Sequence, residues 1–329
     1  MNPTAITGDV IGFGAASLDY YRQKGVVGDD YRPGEKTGWT EADQASLVTG
    51  AFERHVGGNV FNDLAFLAQQ KRFRRIGFAS VLGTCGISQQ ILDHGSRLGI
   101  DSHWVNTVEG YLPSVGIIER AEGDRMVRGR PRGDMPRYMD DELIEAAIAG
   151  SGLIVVASLK SPELTQRIFD LTPVGVPLSY NPGSSEFVDH PDQLIRLMEG
   201  RRPYLLALNE TEIAQLHGVE PPEAEDVEGL QGLVESTIDL AENVLCTAGR
   251  GGVGASDGTN FWHSPARLVD DPEDTLGAGD RAHAAALNAL AQGRPLRQIP
   301  ELVVESTLSV IQHVGAHGDL YKNIYAKTR

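Results

Sequence analysis

The chain has 329 residues, 41% of them hydrophobic and 22% charged, and a formal net charge of −16. That length and apolar share suffice for a sizeable core in two domains or in one large α/β domain. The acidic balance argues against a duplex nucleic-acid surface, which needs clustered Lys and Arg to displace counterions.

In chain order, short β-rich apolar runs at 10–14, 76–81, 153–157, 176–179, 204–208 and 244–247 read as buried strands. Helical patterns at 62–70, 86–98, 140–149, 162–171, 191–198, 210–216 and 230–241 lie between them. The alternation predicts parallel strands with helices on both faces, binding ligand beyond the carboxyl ends of the strands. Two stretches break it. Residues 20–53 are rich in Gly, Asp, Lys and Thr, and 112–137 read as two β segments, 114–119 and 125–128, around a turn at 121–124. A further helical pattern runs from Gly279 through Ala282, Ala285, Ala286, Leu287 and Leu290.

The first fourteen residues lack the basic start and long apolar core of a signal peptide, and no later segment has the apolar length to span a bilayer. Cys85 and Cys246 are the only cysteines, with no CxxC or His-rich neighbour. This argues against a zinc site or a disulfide framework, and the expected location is the reducing cytoplasm.

The stretch Asp274-Thr275-Leu276-Gly277-Ala278-Gly279-Asp280 sets small residues and a carboxylate at the mouth of the last helical pattern. First-turn N–H groups have no intrahelical partner and attract anions, and a phosphate approaches closely only where side chains are small. Asp280 beside them can take a proton from an attacking hydroxyl. The combination suggests phosphoryl transfer, although a plain tight turn ahead of a helix uses the same glycines.

The stretch resembles the C-terminal signature D-T-x-G-A-G-D of the ribokinase-like (PfkB) family of carbohydrate and nucleoside kinases. Gly57-Gly58-Asn59-Val60-Phe61-Asn62-Asp63-Leu64-Ala65 resembles its first signature, G-G-x-x-x-N-x-A, with one residue placed differently at the end. Two signatures in the right order are harder to obtain by chance than either alone. The resemblance extends over 10–318. It implies an α/β fold, a ribokinase-like three-layer αβα sandwich with a mostly parallel central sheet and a small β lid. It also implies a single domain over 1–329, with lid segments at about 15–56 and 110–137. The span between Asp19 and Gly57 is longer than usual for the family and reads as an extra loop, an interface or a surface insertion.

Residue by residue, the resemblance makes Asp280 the catalytic base, with Gly277, Ala278 and Gly279 stabilising phosphoryl charge through backbone N–H groups. Thr247-Ala248-Gly249-Arg250-Gly251-Gly252 resembles a T-x-G-x-x-G nucleotide loop, assigning Thr247, Gly249, Arg250 and Gly252 to ATP; a hairpin turn would use the same glycines. Asn209-Glu210-Thr211-Glu212 resembles an N-x-x-E motif. There Asn209 reaches phosphate and Glu212 holds Mg²⁺ through water, and the spacing equally suits a capping box. For the acceptor it implies Asp19, Gly57, Gly58, Asn59 and Asn62, against a simpler Gly turn before a helix whose Leu64, Phe66 and Leu67 pack inward. Lys160 stands where ribokinase carries a sugar-binding acid. With Arg125, Arg128, Arg130, Arg132 and Arg137 it suggests a substrate bearing carboxylate or phosphate, although most charge runs are solvated faces. Potassium is a further candidate, beside Asp274 and the 315–318 region. Arg281-Ala282-His283 departs from the family pattern, with Arg281 expected near the phosphates or in solvent and His283 on a helix face.

The reading is an ATP-dependent kinase that passes the γ-phosphoryl group of MgATP to a hydroxymethyl group of a sugar or sugar acid. It works without nucleic-acid or membrane partners and, by resemblance, as a homodimer. The alternatives are a nucleoside kinase, with Phe13, Tyr20, Phe61 or Tyr111 stacking on the base, and a catalytically weak sugar- or nucleotide-binding regulator.

Overall fold

The computed structural model describes residues 6–28, 30–32, 35–49, 51–121, 124–183 and 191–317. Their strands fall into two sheets. β1 (Asp9–Gly14) opens the larger, then β2 (Ser17–Tyr21), β3 (Lys36–Gly38) and β4 (Glu53–Gly57) belong to the smaller, with α1 (Glu41–Thr49) between the last two. The chain returns to the larger sheet through α2 (Asn59–Gln69), β5 (Arg75–Leu82), α3 (Gly86–Leu98), β6 (Ile100–Asp101) and β7 (Val105–Thr107). β8 (Ser114–Ala121) and β9 (Asp124–Arg130) complete the smaller sheet.

Strand and helix then alternate through α4 (Asp141–Ile148), β10 (Ser151–Ala157), α5 (Pro162–Leu171), β11 (Leu178–Asn181), α6 (Pro191–Gly200) and β12 (Leu205–Asn209). α7 (Glu210–His217), α8 (Val227–Thr237) and β13 (Val244–Thr247) lead to the hairpin β14 (Val253–Ser256) and β15 (Phe261–Ser264), followed by α9 (Ala278–Ala291) and α10 (Ile299–Ile311).

The larger sheet runs β15-β14-β13-β12-β11-β10-β1-β5-β6, with β7 also on β5, and the smaller β3-β9-β8-β2-β4. All pairings in the larger sheet are parallel except those of the β13–β14–β15 edge. Successive strand residues face opposite sides, so the buried runs split between two cores. Val10, Leu153 and Val155 join α2, α9 and α10 on one face. Ile11, Ile154 and Val156 join α4 to α8 on the other. The result is the expected three-layer α/β sandwich. No helix among the described residues is long and apolar enough to cross a membrane.

Helices at 86–98 and 162–171 and the strand at 244–247 lie where the sequence patterns put them. The strand expected at 176–179 pairs two residues later, as Leu178–Asn181. Pro177 has no N–H to give the ladder, and only its carbonyl is used, by Ile154 N at 2.9 Å. The stretch 20–53 is not simply an extra loop: it contributes β3 and α1 and runs into β4. α1 escapes a periodicity search because its residues are mostly polar. It is started by a reciprocal cap, Asp43 N donating to Thr40 Oγ1 at 3.2 Å and Thr40 N to Asp43 Oδ2 at 2.8 Å. The middle of the expected 121–124 turn lies outside the described residues; Ala121 and Asp124 pair across it.

Candidate active site

The carboxyl ends of β1 and β10 to β13 open onto two adjoining cavities of about 350 and 280 Å³. The first is walled by Asp19, Gly58, Asn59, Asn62 and Asp280, with β8 and β9 on its other side. The second is walled by Asn209, Glu212, Thr247, Gly277, Gly279 and Asp280. The two share Lys36, Asn59, Ser158, Lys160, Leu276 and Asp280. Asp280 therefore stands where the cavities meet.

Its position follows from the first turn of α9. Gly277 caps the helix with φ 81°, a left-handed backbone that only glycine adopts cheaply, and a Cβ there would run into Ala316. Arg281 N donates to Gly277 O at 2.8 Å, so the Gly279 and Asp280 N–H groups precede the first intrahelical bond. A Cβ on Gly279 would meet nothing within 4 Å; this part of the turn lies open to the second cavity.

Asn62 Nδ2 donates to Asp280 Oδ2 at 2.6 Å, and the contact is buried. Burial pushes the Asp280 carboxyl up to about 7 and the charge of Asp63 adds to the rise, while the Asn62 amide, His283 and Lys36 oppose it. Asn62 stands on α2 because Gly58, with φ 106°, turns the chain from β4 into the helix. A Cβ at Gly58 would meet the carbonyl of Ala15. Leu64 and Leu67 are fully buried on the other side of α2, the inward packing expected of this segment, while Gly58, Asn59 and Asn62 line the first cavity.

On the smaller sheet, Asp19 is buried and its carboxyl sits between Gly57 and Gly116, where a Cβ on either would strike it. Burial pushes it up to about 7, a hydrogen bond with Ser17 opposing and the charge of Asp274 adding. Lys160 follows β10 in a left-handed conformation, φ 52°, as does Ser158 with φ 46°. Such backbone is uncommon outside glycine and clusters at functional sites. The loop brings Lys160 to both cavities.

Asn209 and Glu212 form a complete capping box on α7, Asn209 Oδ1 accepting from Glu212 N at 2.8 Å and Glu212 Oε2 accepting from Asn209 N at 2.9 Å. Both also line the second cavity. Thr247 lines it as well, but Gly249, Arg250 and Gly252 do not. Those three belong to the turn between antiparallel β13 and β14, and Arg250 is exposed. Asn181, the last residue of β11, and Gly183 just beyond it line the cavity and went unnoticed in the sequence. An Asn-Pro-Gly run directly after an apolar strand was the available signal. Lys36 and Ser158 were also missed.

A family model described as pfkB family carbohydrate kinase matches residues 28–322. The chain belongs to this family. No curated protein matches it by sequence, but many solved structures share the PfkB fold. Adenosine kinase from Schistosoma mansoni in complex with 2-fluoroadenosine superposes with a TM-score of 0.78 at 14% identity, covering 93% of this chain and 96% of that one. Adenosine kinase from Sinorhizobium meliloti gives 0.75 at 17%, covering 94% and 95%. A putative ribokinase II from E. coli in complex with ATP and Mg²⁺ gives 0.74 at 14%, covering 97% and 99%.

Against the PfkB pattern, the unusual residues after Asp280 turn inward. Arg281 reaches neither the second cavity nor solvent: it is 6% exposed and its guanidinium stacks on Phe66, 4.5 Å from the ring centre. His283 is wholly buried, with Nδ1 2.9 Å from Asp63 Oδ2 and Nε2 2.6 Å from Ser179 Oγ. The Ser-His-Asp order resembles a nucleophilic triad, but all three residues are buried and none lines either cavity. The array joins α2, α9 and β11 one turn below Asp280.

Asp274 joins the motif to the C-terminal side, Oδ1 accepting from Leu276 N and Oδ2 from Gly315 N, each at 2.9 Å; Gly318 lies outside the described residues. Among the described residues, no group of three His, Cys, Asp or Glu is arranged to hold a metal.

Proposed function

We propose that the protein is an ATP-dependent kinase that transfers the γ-phosphoryl group of MgATP to a hydroxymethyl group of a sugar or sugar acid. The observation that carries the reading is Asp280, held by Asn62 where the two cavities meet and set in the exposed first turn of a helix. The acceptor hydroxyl oxygen forms a bond to the γ-phosphorus, the bond from that phosphorus to the β,γ-bridging oxygen breaks, ADP leaves, and the hydroxyl proton passes to Asp280. A carboxyl raised to about 7 is a better proton acceptor than an ordinary Asp and is still substantially ionised near neutrality.

N–H groups of the Gly277–Gly279 turn offset charge on the transferring group, as preorganised donors do in an oxyanion hole. Glu212 would hold Mg²⁺ through water and Asn209 and Thr247 would meet phosphate oxygens; the metal, when bound, neutralises the charge that develops between β- and γ-phosphates. Both carboxylate oxygens of Asp274 already accept N–H groups, so a potassium ion there would draw on backbone oxygens, as the resemblance implies. Asp19 and Asn59 orient the acceptor, the segments 15–56 and 110–137 act as its lid, and the chain works as one domain in a homodimer.

A nucleoside acceptor is less well supported. Among the described residues no aromatic side chain lines the first cavity, and Phe13, Tyr20, Phe61 and Tyr111 are all buried elsewhere. The reading is tested by coupled ADP release over neutral sugars, sugar acids, sugar phosphates and nucleosides. Turnover with a sugar or sugar acid is expected, and turnover with nucleosides alone would overturn it.

A further inference from the structure

The molecule carries a net charge of −16, yet among the described residues the walls of its first cavity hold Lys36, Arg130, Arg132 and Lys160 against two carboxyls, Asp19 and Asp280. Both carboxyls are raised to about 7 by burial, so near neutrality each carries only part of a negative charge. The cavity is a positive pocket in an acidic protein.

Neighbouring arginines of the smaller sheet are neutralised from within. Arg22 pairs with Glu119 at 3.1 Å, Arg120 with Glu273 at 2.8 Å, and Arg128 with Asp30 and Glu119 at 2.6 and 2.9 Å. Arg125 donates to Thr275 Oγ1 at the second cavity. Arg130 differs. Among the described residues it has no carboxylate partner, its guanidinium lies 6.0 Å from the Trp39 ring centre, and its Nε is buried without a hydrogen-bond partner. Arg130 itself is half-buried, and Arg120 Nε is unpaired in the same way. What sets Arg130 apart is that Arg120 has the Glu273 carboxylate, whereas the Arg130 charge, at the cavity wall, has no carboxylate among the described residues, and leaving a charged donor there unmatched is costly. Arg132 is anchored beside it by a hydrogen bond to Leu159 O.

Position separates the four cations by task. Lys36 and Lys160 line both cavities, whereas Arg130 and Arg132 line the first but not the second. We infer that the acceptor carries an anionic oxyacid group, carboxylate or phosphate, which Arg130 and Arg132 bind while the acceptor's hydroxyl meets Asp280. This inference rests on the kinase reading above and narrows it. A planar guanidinium offers parallel N–H donors that match the spacing of two oxyanion oxygens, a fit that a neutral hydroxyl does not reward equally.

The test is calorimetric titration of the full-length protein without nucleotide. The ligands are five- and six-carbon aldonic acids, the corresponding sugar monophosphates, the neutral parent sugars and inorganic phosphate, followed by ADP release with each. An anionic ligand is expected to bind roughly 10- to 100-fold more tightly than its neutral parent, the worth of one charged hydrogen bond. The arm that does so, acid or monophosphate, identifies the group. Arg130→Gln is expected to erase that preference while leaving ATP affinity unchanged, and Arg130→Lys to keep part of it. Equal binding of neutral and anionic ligands, binding of no anionic ligand, or a preference untouched by both Arg130→Gln and Arg132→Gln would overturn the inference. Turnover of neutral sugars alone would overturn it too and leave the kinase reading intact. Charge-selective binding with no ADP release from any acceptor would instead overturn the kinase reading and keep the anion site.

Discussion

The surroundings of Asp280 and of Asp19 make an instructive pair. Both carboxyls wall the same cavity, both are buried, and burial pushes both up to about 7. Their settings differ. Asp280 rides on the first turn of a helix that packs against α2 and receives an amide hydrogen bond from it. Asp19 is wedged between two glycines of the smaller sheet. Similar acidity thus comes with different equipment: one carboxyl stands beside the free N–H groups of a helix's first turn, which on the proposed reading suits it to take a proton, and the other between two glycines, which suits it to hold hydroxyls. A shifted pKa alone would not have told them apart.

The sharpest way to break this contrast is to neutralise each in turn. Asp280→Asn is expected to lower kcat by about 10²- to 10⁴-fold, the usual worth of a positioned general base, with nucleotide affinity in calorimetry little changed. Asp19→Asn should act mainly on acceptor KM, raising it roughly 10- to 100-fold. Equal losses of kcat in both variants would erase the distinction between base and holder.

Stability sharpens it further. His283→Phe strands Asp63 in the core without its partner and should cost about 3–5 kcal/mol in chemical denaturation, whereas replacing both by apolar residues, Asp63→Leu with His283→Phe, should recover most of the loss. A further effect concerns pH. A carboxyl with a folded-state value near 7 and an unfolded value near 3.8 binds more protons in the folded state between those limits. It therefore costs stability as pH rises through that window. Asp280→Asn should accordingly raise the Tm above pH 7, with the gain fading toward pH 4, while wild-type turnover falls as pH drops below about 7.

What could be read in the sequence was what is local. The start of α9 was legible because its cap, open first turn and carboxylate are neighbours in the chain. The Asn209–Glu212 capping box was legible for the same reason. The bond from Asn62 to Asp280 joins residues 218 positions apart and exists only through the packing of α2 on α9, which no periodicity encodes. Lys36 was invisible because β3 is a three-residue edge strand, Lys-Thr-Gly, with no apolar alternation. The arginines of 125–137 could not be sorted until the fold showed which already had carboxylates. The glycines at 249–252 illustrate an ambiguity that local reading leaves: the pattern is shared by a nucleotide loop and a hairpin turn, and Thr247 lines the cavity while Gly249, Arg250 and Gly252 stand in the turn between β13 and β14.

Asp274 has one more consequence. A single side chain clasps the amides of Leu276 and Gly315, and Ala316 abuts the cap of α9, so the stretch after α10 is a strut for the turn that carries Asp280, the proposed reacting centre. Cutting the backbone between α10 and Gly315, with every chemical group left in place, would let the first turn of α9 sag. Catalysis would then fail mechanically, from the far end of the sequence.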